Sequence, residues 1–412
     1  MLDIKFIREN KKLVEKNSLT RNVKVNMAEL LKLDEEKINL QKKIDARRGQ
    51  RNTGSKTKPT PEQIVEMKKV GEEIKEFETV LKEKEAALQT ILIKIPNINH
   101  ESTPVGKDDS ENKIERTEGK KPKFDFEPKE HFEVGHIAPL IDLERGAKTS
   151  GSRFYYLRGK LAILERAIMQ YAVDIMVTKG FELILPPILV REQAMFGTGF
   201  FPADKNEVYA VNPGEDNLYL IGTSEVPLIY MHAGETLESR GMPKKYIAVT
   251  PCFRRESGAY GKDTKGIIRV HQFYKVEMVV YAHPEKSEEL HNELLAIEEE
   301  FIASLGLAFQ VVNVCSGDLG FPAAKKYDCE GWFPGQNKFR ELTSTSNTTD
   351  YQTRRSNIKY KTADGSREFV HTLNGTVASD RPMLAIIENF QQADGSILIP
   401  KVLQKYTGFD KI

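Results

Sequence analysis

The sequence predicts an α+β protein in two parts, on three observations. Two stretches near the N-terminus carry apolar residues at heptad spacing and are joined by a breaker segment, the pattern of an antiparallel coiled-coil helical hairpin. Residues 251–280 read as two strands joined by a long loop that holds three glycines. The rest of the chain alternates helical apolar spacing with short strands, and 412 residues exceed one usual domain. The expected division is a helical arm over residues 1–100, a linker over 101–130 and a larger body over 131–412.

Composition narrows the class. Hydrophobic residues make up 39% of the chain, enough for a sizeable core, and the 29% charged residues point to a soluble protein. No apolar run approaches the ~18 residues of a membrane span, and no basic-then-apolar leader opens the chain, so a cytoplasmic location without membrane contact is expected. Cys252, Cys315 and Cys329 are odd in number and lack metal-ligand spacing, which indicates neither a disulfide framework nor a zinc site. The net charge of +1 is uninformative by itself; the placement of charge matters.

In chain order, residues 1–26 read as a short helical lead-in of mixed charge. From Met27 to about Arg51, Leu30, Leu33, Leu40 and Ile44 recur at helical spacing, with Lys37 in one seam position. A second helix starts at Pro61, a good first-turn residue, with Glu62 close behind. Its seam is Met67, Val70, Ile74, Phe77, Leu81, Leu88 and Ile91, interrupted by Lys84. A helix of ~30 residues spans about 45 Å, so the hairpin is an arm. Near its tip Lys42, Lys43, Arg47, Arg48, Arg51, Lys56 and Lys58 gather with Asp45 as the one acid among them. Such a run is either a solvated coiled-coil face or a grip on nucleic-acid phosphates. Residues 96 to about 130 hold Pro96, Pro104, Pro122 and Pro128 amid polar residues and read as a linker.

In the body, Leu161, Leu164, Ile168, Tyr171 and Ile175 mark a helix over 160–179 that ends at Gly180, before a short strand and Pro186. The stretch LYLIGTSEVPLIYM is an apolar strand that delivers Thr223, Ser224 and Glu225 to the start of a helix. These three either cap that helix or receive an ammonium group. In 251–280 the first strand ends in Phe253, Arg254, Arg255 and Glu256. The loop holds Gly258, Gly261 and Gly266 among Lys262, Asp263 and Lys265. The second strand shows Arg269, His271, Phe273, Lys275 and Glu277 at every second position, with Val270, Val276 and Met278 between. A face of arginine, ring and carboxylate suits a ligand with phosphate, a flat base and an amine or hydroxyl. The plainer alternative is a salt-bridged strand facing water. A long amphipathic helix over 283–306 follows, and near the C-terminus Arg381 opens a helix whose backbone N–H groups face an anion.

The stretch PCFRRESGAYGKDTKGIIRVHQF resembles motif 2 of the class II aminoacyl-tRNA synthetases, in the version found in bacterial seryl-tRNA synthetases. The opening MLDIKFIREN with its hairpin, HFEVGHIAPLIDLERGAKTSGSRFYYLRG, CSGDLGFPAAKKYDCEGWFPGQNKFRELTSTSNTTDYQTRR and HTLNGTVASDRPMLAIIENFQQADGSILIPKVLQKY resemble the same family, so the likeness covers essentially the whole chain. It implies a class II catalytic domain, an antiparallel sheet flanked by helices, in a homodimer whose interface uses the helix and strand before Pro186. It implies activation of L-serine with ATP and Mg²⁺, then transfer to tRNA(Ser), whose long variable arm the hairpin holds and whose acceptor end enters the body. Whether selenocysteine tRNA is charged as well stays open.

The resemblance also implies roles. Arg254 on the α-phosphate, Arg381 on the γ-phosphate and Glu341 on the metal form the catalytic set. Around ATP they are joined by Arg255, Glu256, Val270, Phe273, Leu342, Thr343 and Ser344, with Phe273 stacked on adenine and Glu256 accepting its amine. Mg²⁺ falls to Glu341 and Ser344. Serine falls to Thr223, Ser224, Glu225, Arg254, Glu277 and Thr376: the TSE group takes the α-amine, and Glu277 and Thr376 take the hydroxyl. Transfer RNA falls to Lys42, Lys43, Arg47, Arg48 and Arg51. There are departures. The family usually has cysteine where Thr345 stands and valine where Gly331 stands, and Gly331 is expected to loosen its strand. NGTVASDR is one residue shorter than the usual loop between Thr376 and Arg381, which bears on the position of Thr376.

The chemistry asks for these residue types. A serine carboxylate is ionised at pH 7, so joining it to the α-phosphate needs no general base. It needs two anions held together and their charge neutralised, which arginines and Mg²⁺ supply. A ligase loading a carrier protein would lack the basic arm. A non-catalytic RNA-binding relative would have lost the arginines, the TSE group or Glu341, and all are present.

Overall fold

A computed structural model describes residues 1–54, 60–257 and 265–412, in two compact units, Met1–Ile98 and Asn99–Ile412. In the first unit the lead-in is a pair of short helices, Ile4–Glu9 and Lys11–Thr20, followed by the hairpin helices Met27–Gly54 (α1) and Pro61–Leu92 (α2). Thr60 caps α2: its hydroxyl accepts from the Gln63 backbone N–H while the Gln63 side chain accepts from Thr60, with Pro61 in the first turn. Leu30, Ile44, Ile74 and Leu88 are buried along the seam. Its two breaks are answered across the hairpin. Lys37 Nζ lies 3.2 Å from Glu85 and Lys84 Nζ 2.7 Å from Glu36.

The basic stretch of α1 is less free than its own neighbours in sequence suggest. Arg47 pairs with Glu73 and Arg48 with Glu78 on α2, each at 2.8 Å, and Lys43 Nζ sits 5.8 Å from the centre of the Phe77 ring. Lys42 and Arg51 are exposed and make no ion pair among the described residues. Lys56 and Lys58 lie outside the described residues, as do Gly258, Gly261, Lys262 and Asp263.

The second unit is organised on a sheet of eight strands among the described residues: Lys113–Glu118 (β1), Glu182–Leu183 (β2), Lys244–Phe253 (β3), Gln272–Ala282 (β4), Phe309–Asn313 (β5), Lys325–Phe333 (β6), Lys338–Thr349 (β7) and His371–Ser379 (β8). Their order is β1-β5-β6-β7-β8-β4-β3-β2, antiparallel throughout except where β2 runs parallel to β3. β1 falls where a linker was expected. Its six residues are all exposed and mostly charged, which gives no apolar alternation to read, yet its backbone completes the sheet edge against β5.

Helices Gly159–Thr178 (α3), Ser287–Ser304 (α5) and Asp380–Asn389 (α6) share one core with the sheet; the short Glu225–Tyr230 (α4) packs separately. Leu161, Leu164 and Ile168 of α3, Phe301 and Ile302 of α5, and Met383 to Ile387 of α6 meet Val276, Met278 and Leu373 of the strands. Fully burying each such side chain contributes about 1.5–3 kcal/mol. Gly180, with φ +82°, terminates α3 as expected. From Lys275 onward every residue of β4 is buried, so its polar members face the protein interior and not water. The strand begins only at Gln272, so Arg269 and His271 lie before it. Gly331 does not loosen β6, which is continuous through it: a Cβ there would fall 2.4 Å from Leu342 Cδ1, so the Leu342 side chain fills the space that valine would take. Among the described residues no helix is long and apolar enough to cross a membrane.

Candidate active site

Two β-bulges build the cleft. On β7, Thr343 pairs with Cys329 and Glu341 with Glu330, which leaves Leu342 as an extra residue. On β8, Ala378 pairs with Val276 and Thr376 with Glu277, which leaves Val377 extra. Residues three apart on a regular strand point to opposite faces; one inserted residue restores them to the same face. Glu341 and Ser344 therefore line the same cleft, and so do Thr376 and Ser379, with Arg254, Phe273 and Arg381 around them.

At one end of the cleft, Ser379 caps α6 by accepting from the Arg381 backbone N–H at 3.3 Å. The Arg381 Nη1 donates to the Glu341 carbonyl at 2.8 Å and to its carboxylate at 3.1 Å. Burial by itself would raise the Glu341 carboxyl; the charges of Arg381 and Lys326 outweigh it and hold the group at about 2, so it is ionised. An ionised carboxylate and the Ser344 hydroxyl on one face fit Mg²⁺, which takes one or two carboxylates and completes its shell with phosphates and water. The Arg254 guanidinium lies 5.2 Å from the centre of the Phe273 ring, and its Nε donates to the Gly222 carbonyl at 3.2 Å. Glu256, at φ +51°, is paired with Arg269 at 2.5 Å.

Beyond Thr376 the groups are buried. The Thr376 hydroxyl donates to Glu277 at 3.2 Å, and Lys275 Nζ lies 2.6 Å from the same carboxylate. Burial pushes the Glu277 carboxyl up and Lys275 pulls it back. At the start of α4 the N-cap residue Ser224 makes no side-chain capping bond, and Thr223 Oγ1 accepts from the Glu225 backbone N–H at 3.2 Å. The Glu225 carboxyl accepts from Gln352 at 2.7 Å and Asn374 at 3.0 Å. Burial and the nearby Glu277 charge push it up to about 7, against the pull of Gln352, Lys275 and Arg254. Ser224 is fully buried beside it.

Of the residues singled out in the sequence, Arg254, Glu256, Val270, Phe273, Glu341, Leu342, Ser344, Thr376 and Arg381 line the cleft. Thr223, Ser224, Glu225 and Glu277 are buried. Two stand apart. The Thr343 hydroxyl donates to Glu298 of α5 at 2.8 Å, because the bulge at Leu342 turns it to the other face. The Arg255 side chain is exposed outside the cleft lining, while its backbone N–H donates to Glu207 at 2.8 Å. Thr345 is buried, with its hydroxyl on the Asn374 carbonyl at 2.9 Å. Sequence reasoning missed Gln352 and Asn374, whose amides reach Glu225 from elements 127 and 149 residues away. Neither position carries a local signal.

Residues 207–390 match the family described as the tRNA synthetase class II core domain (G, H, P, S and T), and residues 1–99 match the seryl-tRNA synthetase N-terminal domain. The chain is 44% identical over 423 residues to the serine–tRNA ligase of Treponema denticola, covering 100% of both. Among solved structures it is similar to the seryl-tRNA synthetase of Pyrococcus horikoshii complexed with ATP, with TM-score 0.93, 41% identity and coverage of 100% of this chain and 99% of that one. It is also similar to the cytoplasmic serine–tRNA ligase of Naegleria fowleri in complex with AMP, with TM-score 0.89, 35% identity and coverage of 100% and 98%. With such identity over its whole length and the class II cleft in place, the chain belongs to the seryl-tRNA synthetase (serine–tRNA ligase) family.

Proposed function

We propose that this protein activates L-serine with ATP to seryl-adenylate and transfers the seryl group to the 3′ end of tRNA(Ser). The observation that carries the reading is the junction of a cationic cleft with a buried hydroxyl-seeking pair: Arg254, Arg381 and the ionised Glu341 on one side, Thr376 and Glu277 on the other. Arg254 holds the α-phosphate and Arg381 the γ-phosphate, while adenine stacks on Phe273, with Glu256 on its exocyclic amine and Val270 and Leu342 packing the base and ribose. Glu341 and Ser344 would hold Mg²⁺, which supplies charge neutralisation and orientation of the phosphates. The serine carboxylate attacks the α-phosphate in line, forming the acyl–phosphate bond as the bond to pyrophosphate breaks. Arg254 serves the charge that develops at that centre, and no side chain needs to move a proton.

Glu225, with Thr223 and Ser224, receives the serine α-ammonium. Glu277 and Thr376 receive the side-chain hydroxyl, and a substrate without it leaves a buried carboxylate unmatched. The basic stretch of the arm, Lys42, Lys43, Arg47, Arg48 and Arg51, binds the long variable arm of the tRNA. Two copies pair through the groove of about 1050 Å³ lined by Ile163, Leu183, Leu185 and Tyr274, where large apolar side chains stand exposed. A cytoplasmic location goes with this work. ATP–pyrophosphate exchange across a panel of amino acids tests the reading. Serine alone should drive rapid exchange without tRNA, and equal exchange with threonine or alanine would refute the substrate.

A further inference from the structure

The mechanism above gives no role to a buried pair of acids, one at the wall of the groove assigned to the second copy and one at the wall of the ATP cleft. Glu165, in the middle of α3, and Asp380, the first residue of α6, are 6% and 4% exposed. The two Asp380 oxygens are already committed: one accepts from the Tyr274 backbone N–H at 2.8 Å, and the other accepts a short bond from the Tyr155 hydroxyl. Among the described residues no N–H or O–H group is aimed at either Glu165 oxygen, and the polar group at hydrogen-bond range is the Asp380 carboxyl. Two carboxylates cannot bond to each other, so the pair holds a proton between them. Burial pushes both groups up, Glu165 well above the usual carboxylate range, while Asp380 is also drawn back by Tyr155, Tyr274 and Arg381; the proton rests with Glu165. Among the described residues, the ionisable side chains that act on the pair are Tyr155 ahead of α3, Tyr274 on β4 and Arg381 on α6.

Asp380 immediately precedes Arg381, and Tyr274 immediately follows Phe273. The bond from Tyr274 to Asp380 therefore ties the first turn of α6 to the strand that carries the stacking ring. We propose that Glu165 is a positioning residue for ATP: as a neutral acid it donates to Asp380, completes that carboxylate's partners, and so holds Arg381 and Phe273 at a fixed separation. It touches no substrate. The inference rests on the reading of Arg381 as a γ-phosphate ligand.

Pyrophosphate exchange with the full-length enzyme, with KM measured separately for ATP and for serine, tests it. Glu165→Gln retains a donor and should keep both values within about twofold of the parent. Glu165→Ala removes it and should raise the KM for ATP about tenfold or more, with the KM for serine changed less than about twofold. Glu165→Met keeps the length without a donor and should match the alanine variant, which serves where alanine fails to give a native melting curve. An unchanged KM for ATP in the donor-less variants, equal damage in the glutamine variant, or equal rises in both KM values would overturn the proposal. Arg381→Ala, run alongside, separates the two readings: if it leaves the KM for ATP unchanged, the phosphate assignment itself is wrong.

Discussion

Arg381 and Glu341 are joined twice, through the Glu341 carbonyl at 2.8 Å and its carboxylate at 3.1 Å. In this arrangement the arginine and the carboxylate neutralise each other. Under the proposed roles, nucleotide binding would offer each a new partner, phosphate for the arginine and metal for the carboxylate. Glu341→Gln keeps a hydrogen-bonding partner for Arg381 but removes the metal's anion. Exchange activity should fall by about a hundredfold, and the Mg²⁺ concentration giving half activity should rise. An unshifted Mg²⁺ titration would remove Glu341 from the metal site.

Arg254→Ala should lower serine-dependent pyrophosphate exchange by about a hundredfold or more, since a lost transition-state charge contact costs about 3 kcal/mol. The side chain lies over the Phe273 ring at the cleft surface and buries little, so the melting temperature should hold. A native melting curve with nearly unchanged exchange would contradict the α-phosphate role.

If Glu225 receives the serine ammonium as proposed, serine recognition is expected to depend on pH. Its carboxyl, pushed up to about 7, is neutral below that value and charged above it, and only the charged form attracts an ammonium group. The kcat/KM for serine reports the free enzyme, so it should fall about tenfold per pH unit below 7 and level off above. Glu225→Gln should flatten that limb at a low value. A parent profile already flat from pH 5.5 to 7.5 would count against the assignment.

Thr376 and Glu277 are expected to set the preference for a hydroxyl. Thr376→Val leaves Glu277 with Lys275 as its remaining partner and should lower kcat/KM for serine by about tenfold to a hundredfold. The ratio of serine to alanine exchange should shrink with it. Competition assays with both amino acids would read this directly, and an unchanged ratio would place the hydroxyl elsewhere.

On the arm, Lys42 and Arg51 should matter more than Arg47 and Arg48, which Glu73 and Glu78 already engage. Removing Lys42 and Arg51 should weaken binding of tRNA(Ser) and flatten its salt dependence by about one unit of slope per lost phosphate contact. Deleting residues 35–85 with a short joining turn should abolish that affinity while sparing activation. Equal charging of full-length tRNA by the deleted protein would make the arm structural.

Much of this was legible in the sequence because it rests on spacing. The seams of α1 and α2, the glycine stop after α3 and the strands flanking the 254–271 segment follow from periodicity and turn chemistry. Three features were not legible, each for a physical reason. β1 is an edge strand with no buried side chain, so it leaves no apolar pattern. The acids answering Arg47 and Arg48 stand on the other helix, 26 and 30 residues on. The bulges at Leu342 and Val377 are properties of paired strands, and one strand read alone implies simple alternation. Alternation would have put Glu341 and Ser344 on opposite faces; the bulge is what lets both serve one cleft.

The lysines at the two breaks in the arm's seam cover those breaks with charge. Each sits where an apolar residue would continue the stripe, and each crosses to a carboxylate on the other helix, Lys37 to Glu85 and Lys84 to Glu36. As half-exposed pairs they stabilise the arm by only about 0.2–1 kcal/mol each. Their effect is on the surface: the long aliphatic stems can lie over the seam while the ammonium groups stay at its rim. The hairpin thus carries one rivet driven from each helix, set where its apolar seam is interrupted.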